Sequence, residues 1–179
     1  MTSLRIARSS ELSERDWTDL TALCIAAFNE PWDGYWESIG PGAHVIAEEP
    51  DGAIVAHGAI VERPLYPGSQ VLRSGYVEAV AVQPQLQRSG LGTLVMTEID
   101  RLIDQGYELG ALGTGSQPFY ERLGWVLWRG PTWIRHPDGR LERSTDEDGG
   151  IMVRLTPRTP AGLDLSQPIA VDWRQGEVW

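Results

Sequence analysis

The chain has 179 residues, a formal net charge of -10, 41% hydrophobic and 22% charged residues, one cysteine and eight tryptophans. That length suits one domain able to bury roughly 70% of its unfolded surface, and the composition excludes the disordered and fibrous classes. The charge argues against nucleic acid and against an anionic membrane surface, and favours cationic ligands. A single Cys24 excludes an internal disulfide, and the opening MTSLRIARSS lacks the apolar stretch of a signal peptide, so the expected location is cytoplasmic. The tryptophan excess favours a binding cleft, because indole rings make flat, partly wet walls.

Along the chain, residues 4–7 alternate as a first strand, and Ser13 offers a cap to a helix whose face is Trp17, Leu20, Leu23, Cys24, Ala27 and Phe28. Cys24 reads as an inert core thiol. Residues 29–42 set Pro31, Gly34, Gly40, Pro41 and Gly42 among Trp32, Tyr35 and Trp36, a loop or broken helix. Residues 43–48 and 53–62 read as strands around the turn Pro50, Asp51, Gly52. Residues 65–70 read as a connection and 71–82 as a long strand, with Gly75 marking a bulge or bend.

Gly90 opens a helix with Leu91, Leu94, Val95, Ile99, Leu102 and Ile103 on one face, ending near Gly106. Residues 107–112 read as a strand, 117–123 as a short helix stopped by Gly124, and 125–128 as a strand. The alternation predicts an α/β class with mixed layers and parallel strands within residues 71–128. Residues 151–155 read as the last regular strand, before a tail over 157–179.

A strand, a short loop over residues 83–89 and a helix from Gly90 together aim free amides and a helix dipole at an anion. Gly90 and Gly92 allow close approach of the backbone. A nucleoside triphosphate loop would need a Lys followed by Ser or Thr, and a dinucleotide fingerprint a third glycine at Val95 and an acid further on. Neither is present.

What remains, Gln87-x-x-Gly90-x-Gly92, resembles the coenzyme A loop of the GNAT acetyltransferases. Further segments resemble the aminoglycoside 2'-N-acetyltransferases: GYVEAVAV from Gly75, YELGAL from Tyr107, Tyr120 ahead of Gly124 and Trp125, and the ending DWRQGEVW from Asp172. The resemblance spans nearly the whole chain and implies the GNAT acyl-CoA N-acyltransferase fold, a central mixed twisted sheet flanked by helices. It also implies one domain over residues 1–179, acetyl-CoA as donor, and a tail that closes the substrate site. Dimers are common in that family, and the exposed rings could serve an interface in a homodimer.

Acetyl transfer to an amine needs a neutral amine, a stabilised oxyanion and a proton for the departing thiolate. By resemblance Glu78 removes the amine proton through a water, and Tyr120 protonates the sulfur. Phe119 beside it reads as core. The backbone of Val80, Ala81 and Val82 is the candidate partner for pantetheine, and Gln87, Arg88, Ser89, Gly90, Leu91, Gly92 and Thr93 for the pyrophosphate. Asp146, Glu147, Asp148, Asp172 and Glu177 could ring a polyamine. In the resembled family the carboxylate at Trp179 reaches the active site. That family also carries a substrate-contacting acidic segment near residues 29–42, where this chain has only Asp33 and Glu37 among aromatics. The departure makes a kasugamycin-like aminosugar, with fewer amines, an alternative to a 2-deoxystreptamine drug. A metabolic or protein amine, or a non-catalytic module binding acyl-CoA or a cation, remain the other readings. His44, His57 and His136 fall on separate elements without a Cys or paired acid at ligand spacing, so no metal is expected.

Overall fold

The computed structural model describes residues 2–179, and its contacts group the chain into two compact units, each assembled from two stretches. The first unit is Met1–Val61 with Val77–Arg101; the second is Glu62–Tyr76 with Leu102–Trp179.

In the first unit β1 (Ser3–Arg8) pairs antiparallel with β2 (Gly42–Glu48), which pairs antiparallel with the first part of β3 (Ile54–Pro67). The later part of β4 (Leu72–Val82) completes this sheet. Helix α1 (Glu14–Phe28) starts at a capping box in which Ser13 Oγ accepts from the Asp16 amide and Asp16 accepts from the Ser13 amide. Its buried residues are Leu20, Leu23 and Cys24. Phe28, expected in that face, is 41% exposed and stacks on Trp32, because the helix ends in a left-handed Asn29 that turns the chain away. Burial pushes the Cys24 thiol up to about 12, which leaves it inert.

Residues 29–42 do contain a broken helix: α2 (Tyr35–Ile39) stands between left-handed Gly34 and Gly40. Helix α3 (Leu91–Gly106) buries Val95, Met96, Ile99 and Ile103, whereas Leu94 is exposed. The buried stripe therefore runs through Met96 instead of Leu94. Val95 and Ile99 press on β3 at Gly58, where a Cβ would lie 2.6 Å from Ile99 Cδ1 and 3.3 Å from Val95 Cγ1.

The second unit has strand order β6-β9-β5-β4-β3-β10-β7-β8, with β5 (Leu109–Gly113), β6 (Val126–Leu127), β7 (Thr132–Arg135), β8 (Leu141–Arg143), β9 (Ile151–Leu155) and β10 (Ile169–Asp172). The expected parallel pair is β4 with β5, in register from Ser74 opposite Leu109 to Tyr76 opposite Ala111. Gly75 sits regularly opposite Gly110 inside this register, so the distortion of β4 is not there but at Ala79, whose φ is +53°. Its core joins Leu65, Leu72, Tyr76, Trp128, Val153 and Val171.

Two readings of the chain are corrected. Residues 65–67 are not a connection: β3 runs on to Pro67 because β10 pairs with it antiparallel at Leu65, Tyr66 and Pro67. Nor is residues 151–155 the last strand. β10 lies within the tail, flanked by β3 and by β7, to which it is parallel. Four residues after Pro168 carry too little local signal to announce a strand; two neighbours supply its hydrogen bonds. No helix among the described residues is long and apolar enough to cross a membrane.

Gly58→Val should lower stability by about 1–3 kcal/mol, the range for overpacking a filled core, read as a lower urea midpoint with unchanged slope.

Candidate active site

Within the first unit, one continuous segment carries most of the residues singled out from the sequence. β4 brings Glu78 into the interior, 6% exposed, and its Oε2 accepts from the Tyr35 hydroxyl at 2.9 Å. Tyr35 was not singled out as a site residue. It stands on α2 in a run of rings, with Trp32 at 4.1 Å and Trp32 in turn stacked on Phe28 at 5.2 Å, while Trp36 Nε1 donates to Thr21 on α1 at 2.9 Å. Asp33 and Glu37, from the same stretch, are exposed.

Next in the chain, Ala79 is a buried non-glycine residue in the left-handed region. Such a residue costs of order 1–3 kcal/mol unless its surroundings hold it. Its carbonyl accepts from His57 Nδ1 at 3.0 Å, and His57 Nε2 meets His44 Nδ1 at 2.9 Å. His44 and His57 do lie on separate elements, β2 and β3, but the pairing of those strands brings the two rings together. The β2–β3 register sets His44 opposite Ala59 and His57 opposite Ile46, a diagonal that places both rings on one face of the sheet. The sequence held a signal for this in two histidines on adjacent strands of one hairpin.

Past Val80, Ala81 and Val82 the chain makes a short 3-10 turn, Pro84–Leu86, and then the loop of Gln87, Arg88, Ser89 and Gly90, all exposed. Arg88 (φ +64°) and Gly90 (φ +94°) both adopt left-handed conformations. Nothing lies within 4 Å of a Cβ built on Gly90, so glycine is required by backbone conformation and not by space. α3 begins at Leu91, and the amides of Leu91, Gly92 and Thr93 fall in its first turn, where no helical carbonyl can accept them. Free amides at the positive end of a four-turn helix fit a pyrophosphate.

The second unit carries the rest. Tyr120 lies on α4 (Gln117–Glu121), 8% exposed, between Phe119 and Trp125, and burial pushes its phenol up to about 12. Phe119 is half-buried, not core. The acids divide into two groups. Asp148 accepts from Arg143 at 2.6 Å and from the Thr132 amide at 2.9 Å, and those partners hold its carboxyl well below the usual range. Asp172 accepts from the Tyr66 hydroxyl at 2.8 Å and faces Arg135 at 3.7 Å. Both are engaged inside the chain. Glu147 is instead pushed up, by burial first and then by the charges of Glu177 and Asp146. The Trp179 ring is buried and its Nε1 donates to Ser144 at 3.0 Å. A groove of about 690 Å³ is lined by Tyr66, Trp133, Arg135 and Leu141 among others, and by none of the residues singled out from the sequence.

A mixed sheet flanked by helices, with a glycine loop delivering a strand into a helix N-terminus, defines an acyl-CoA N-acyltransferase. Residues 6–127 match the family model described as "Acetyltransferase (GNAT) domain", and the chain belongs to that family: it is a GNAT acetyltransferase, for which an acyl-CoA is the supported donor. It is similar to the aminoglycoside 2'-N-acetyltransferase of Mycolicibacterium fortuitum, 36% identical over 98% of this chain and 91% of that one. Among solved structures it resembles the GNAT family N-acetyltransferase YhbS of Escherichia coli in complex with CoA, at 17% identity and TM-score 0.68, over 95% of this chain and 89% of that. Escherichia coli ElaA is similar at 20% identity and TM-score 0.63, over 86% and 99%. Those two likenesses bear on the fold.

The depressed Asp148 carboxyl contributes stability that is present above its unfolded pKa of about 3.9 and lost as pH falls toward its folded value. Melting curves from about pH 5 down to about pH 2 should therefore fall more steeply for the wild type than for Asp148→Asn, by no more than about 1 kcal/mol because solvent screens this half-exposed pair.

Proposed function

We propose that this enzyme transfers an acetyl group from acetyl-CoA to the 2'-amino group of an aminoglycoside-type antibiotic, a 2-deoxystreptamine drug or a kasugamycin-like aminosugar, and so confers resistance on its host. The observation that carries the reading is the segment from Glu78 to Thr93. Its sixteen residues lie in one compact unit and hold a buried carboxylate, a left-handed strand residue and a glycine loop opening a helix.

In this reading the amides of Leu91, Gly92 and Thr93, with the loop of Gln87, Arg88, Ser89 and Gly90, hold the pyrophosphate. The backbone of Val80, Ala81 and Val82 pairs with pantetheine and polarises the thioester carbonyl. Glu78, oriented by the Tyr35 hydroxyl, takes a proton from the substrate ammonium through a water. The neutral amine attacks the carbonyl and the C–N bond forms. As the C–S bond breaks, Tyr120 gives its proton to the departing thiolate, and the extra proton on the new amide nitrogen passes back to the tyrosinate, directly or through water. A phenol raised to about 12 keeps its proton across the physiological range, which is the state a general acid requires.

The acceptor half of the reading draws on the activity of the Mycolicibacterium fortuitum relative and on acids that face one another. The raised Glu147, with Glu177 and Asp146 around it, gains most from an arriving ammonium, since that charge relieves the repulsion. Asp148 and Asp172, neutralised by Arg143 and Arg135, contribute less, while Asp33, Glu37 and Trp179 are further candidate contacts. The rings of Trp32, Tyr35 and Trp36 favour a sugar with fewer amines and more stackable surface.

Thiol release from acetyl-CoA should rise with aminosugars bearing a free 2'-amine and not with their 2'-hydroxy counterparts. If no aminosugar at millimolar concentration accelerates release over background, the acceptor assignment fails and the acetyltransferase stands. Glu78→Gln should lower kcat/KM by about 10²–10⁴-fold, the contribution of a positioned base.

A further inference from the structure

Four groups form a directed chain through the first unit: Ser9, His44, His57 and the Ala79 carbonyl. The direction follows from the last member. A carbonyl can only accept, so His57 Nδ1 carries a proton and donates it at 3.0 Å. Both rings are neutral, since burial lowers His57 to about 3 and His44 to about 4. His57 Nε2 therefore has a lone pair and accepts from His44 Nδ1 at 2.9 Å. His44 Nε2 in turn accepts from Ser9 Oγ at 3.0 Å, and Ser9 Oγ is itself held by the Gly42 amide at 2.9 Å. Every polar atom of the two imidazoles is used, and each tautomer is set by the next.

The rings cannot turn to do anything else. His44 and His57 are 1% and 0% exposed. The Trp17 ring stands edge-on to His44 at 5.3 Å, and Trp36 stands edge-on to His57 at 5.7 Å. What this rigid pair grips is the one left-handed residue of β4. A left-handed residue in a strand rotates the peptide planes that follow it, here those of Val80, Ala81 and Val82, and takes its own carbonyl out of a regular ladder. Without another donor that buried carbonyl would favour a return to ordinary strand geometry.

We propose that His44 and His57 are positioning residues of the donor site: the His57 hydrogen bond to the Ala79 carbonyl holds residue 79 in its left-handed turn and so aims the Val80 to Val82 backbone that receives the pantetheine arm. The proposal rests on the coenzyme A reading given above. It also explains why the aromatic residues around α2 and α1 crowd this spot, since Trp36 and Trp17 lock the rings that lock the strand.

Calorimetric titration of CoA into the wild type, His57→Leu and His57→Asn tests it. Leucine fills the space and donates nothing; asparagine places an amide N–H near the lost Nδ1–H. CoA affinity should weaken by about tenfold in His57→Leu, the order of one lost buried hydrogen bond, and recover most of the way in His57→Asn. In steady state the KM for acetyl-CoA should rise likewise in His57→Leu while the acceptor KM changes less than about twofold, a split that general loosening would not produce. If His57→Leu loses its cooperative melt, His44→Leu takes its place, leaving the Ala79 bond intact but unpinned, with CoA affinity again expected below that of His57→Asn. A folded His57→Leu or its substitute that binds CoA like the wild type, or that raises both KM values alike, overturns the proposal alone. A wild type that binds no CoA overturns the donor reading and the proposal with it.

Discussion

A buried polar group has to find a partner, and in the first unit that requirement falls on two consecutive residues of β4. Glu78 carries a carboxylate into the interior, and Ala79 holds a buried backbone carbonyl in a left-handed turn of the strand. Each is met by a side chain from elsewhere: Tyr35 for the carboxylate, His57 for the carbonyl. The need for those two donors accounts for much of what surrounds them. α2 must sit where Tyr35 can reach, which the left-handed glycines at both its ends permit. The β2–β3 hairpin must hold the register that makes His44 and His57 diagonal neighbours. Trp36, tied to Thr21 on α1, closes on both.

The same need for partners distinguishes the acids of the second unit. A net charge of -10 says little about which carboxylates are available. Asp148 is committed to Arg143 and Thr132, and Asp172 to Tyr66 and Arg135. Arg63, buried at 7% exposure, donates to the Asp172 and Val178 carbonyls and thereby ties the end of the chain to β3. Glu147 is the acid whose surroundings raise its proton affinity. A surplus of charge thus becomes specific through the positions of the few arginines, since a paired carboxylate offers an incoming ammonium much less than one that faces its own kind.

In the proposed donor site the backbone does much of the binding, so the relevant chemistry lies in where amides point. Gly90 and Arg88 shape the loop before α3, and Ala79 shapes the strand before the loop. Two of these three are not glycine, and their left-handed conformations persist only where the surrounding contacts hold them. For Ala79 those contacts are visible in the His57 bond and in the packing of Leu23, Cys24 and Trp32 against it.

Elements whose signal is local were legible in the residues alone. The Ser13 cap, the Pro50 to Gly52 turn, the helix opened by Gly90 and the order of motifs from Gly75 to Gly124 all rest on neighbouring residues, and propensity and periodicity read neighbours well. The glycine loop that opens α3 was legible for the same reason. The folded chain was needed to show that β10 is a strand, that Met96 and not Leu94 faces inward, that the distortion lies at Ala79 and not Gly75, and that His44 meets His57. Each of these depends on a partner distant in the chain: β3 and β7 for the strand, Gly58 beneath the helix for its rotation, an imidazole for the carbonyl. A side chain's role there is set by what packing brings to it, and that information is held by the fold as a whole.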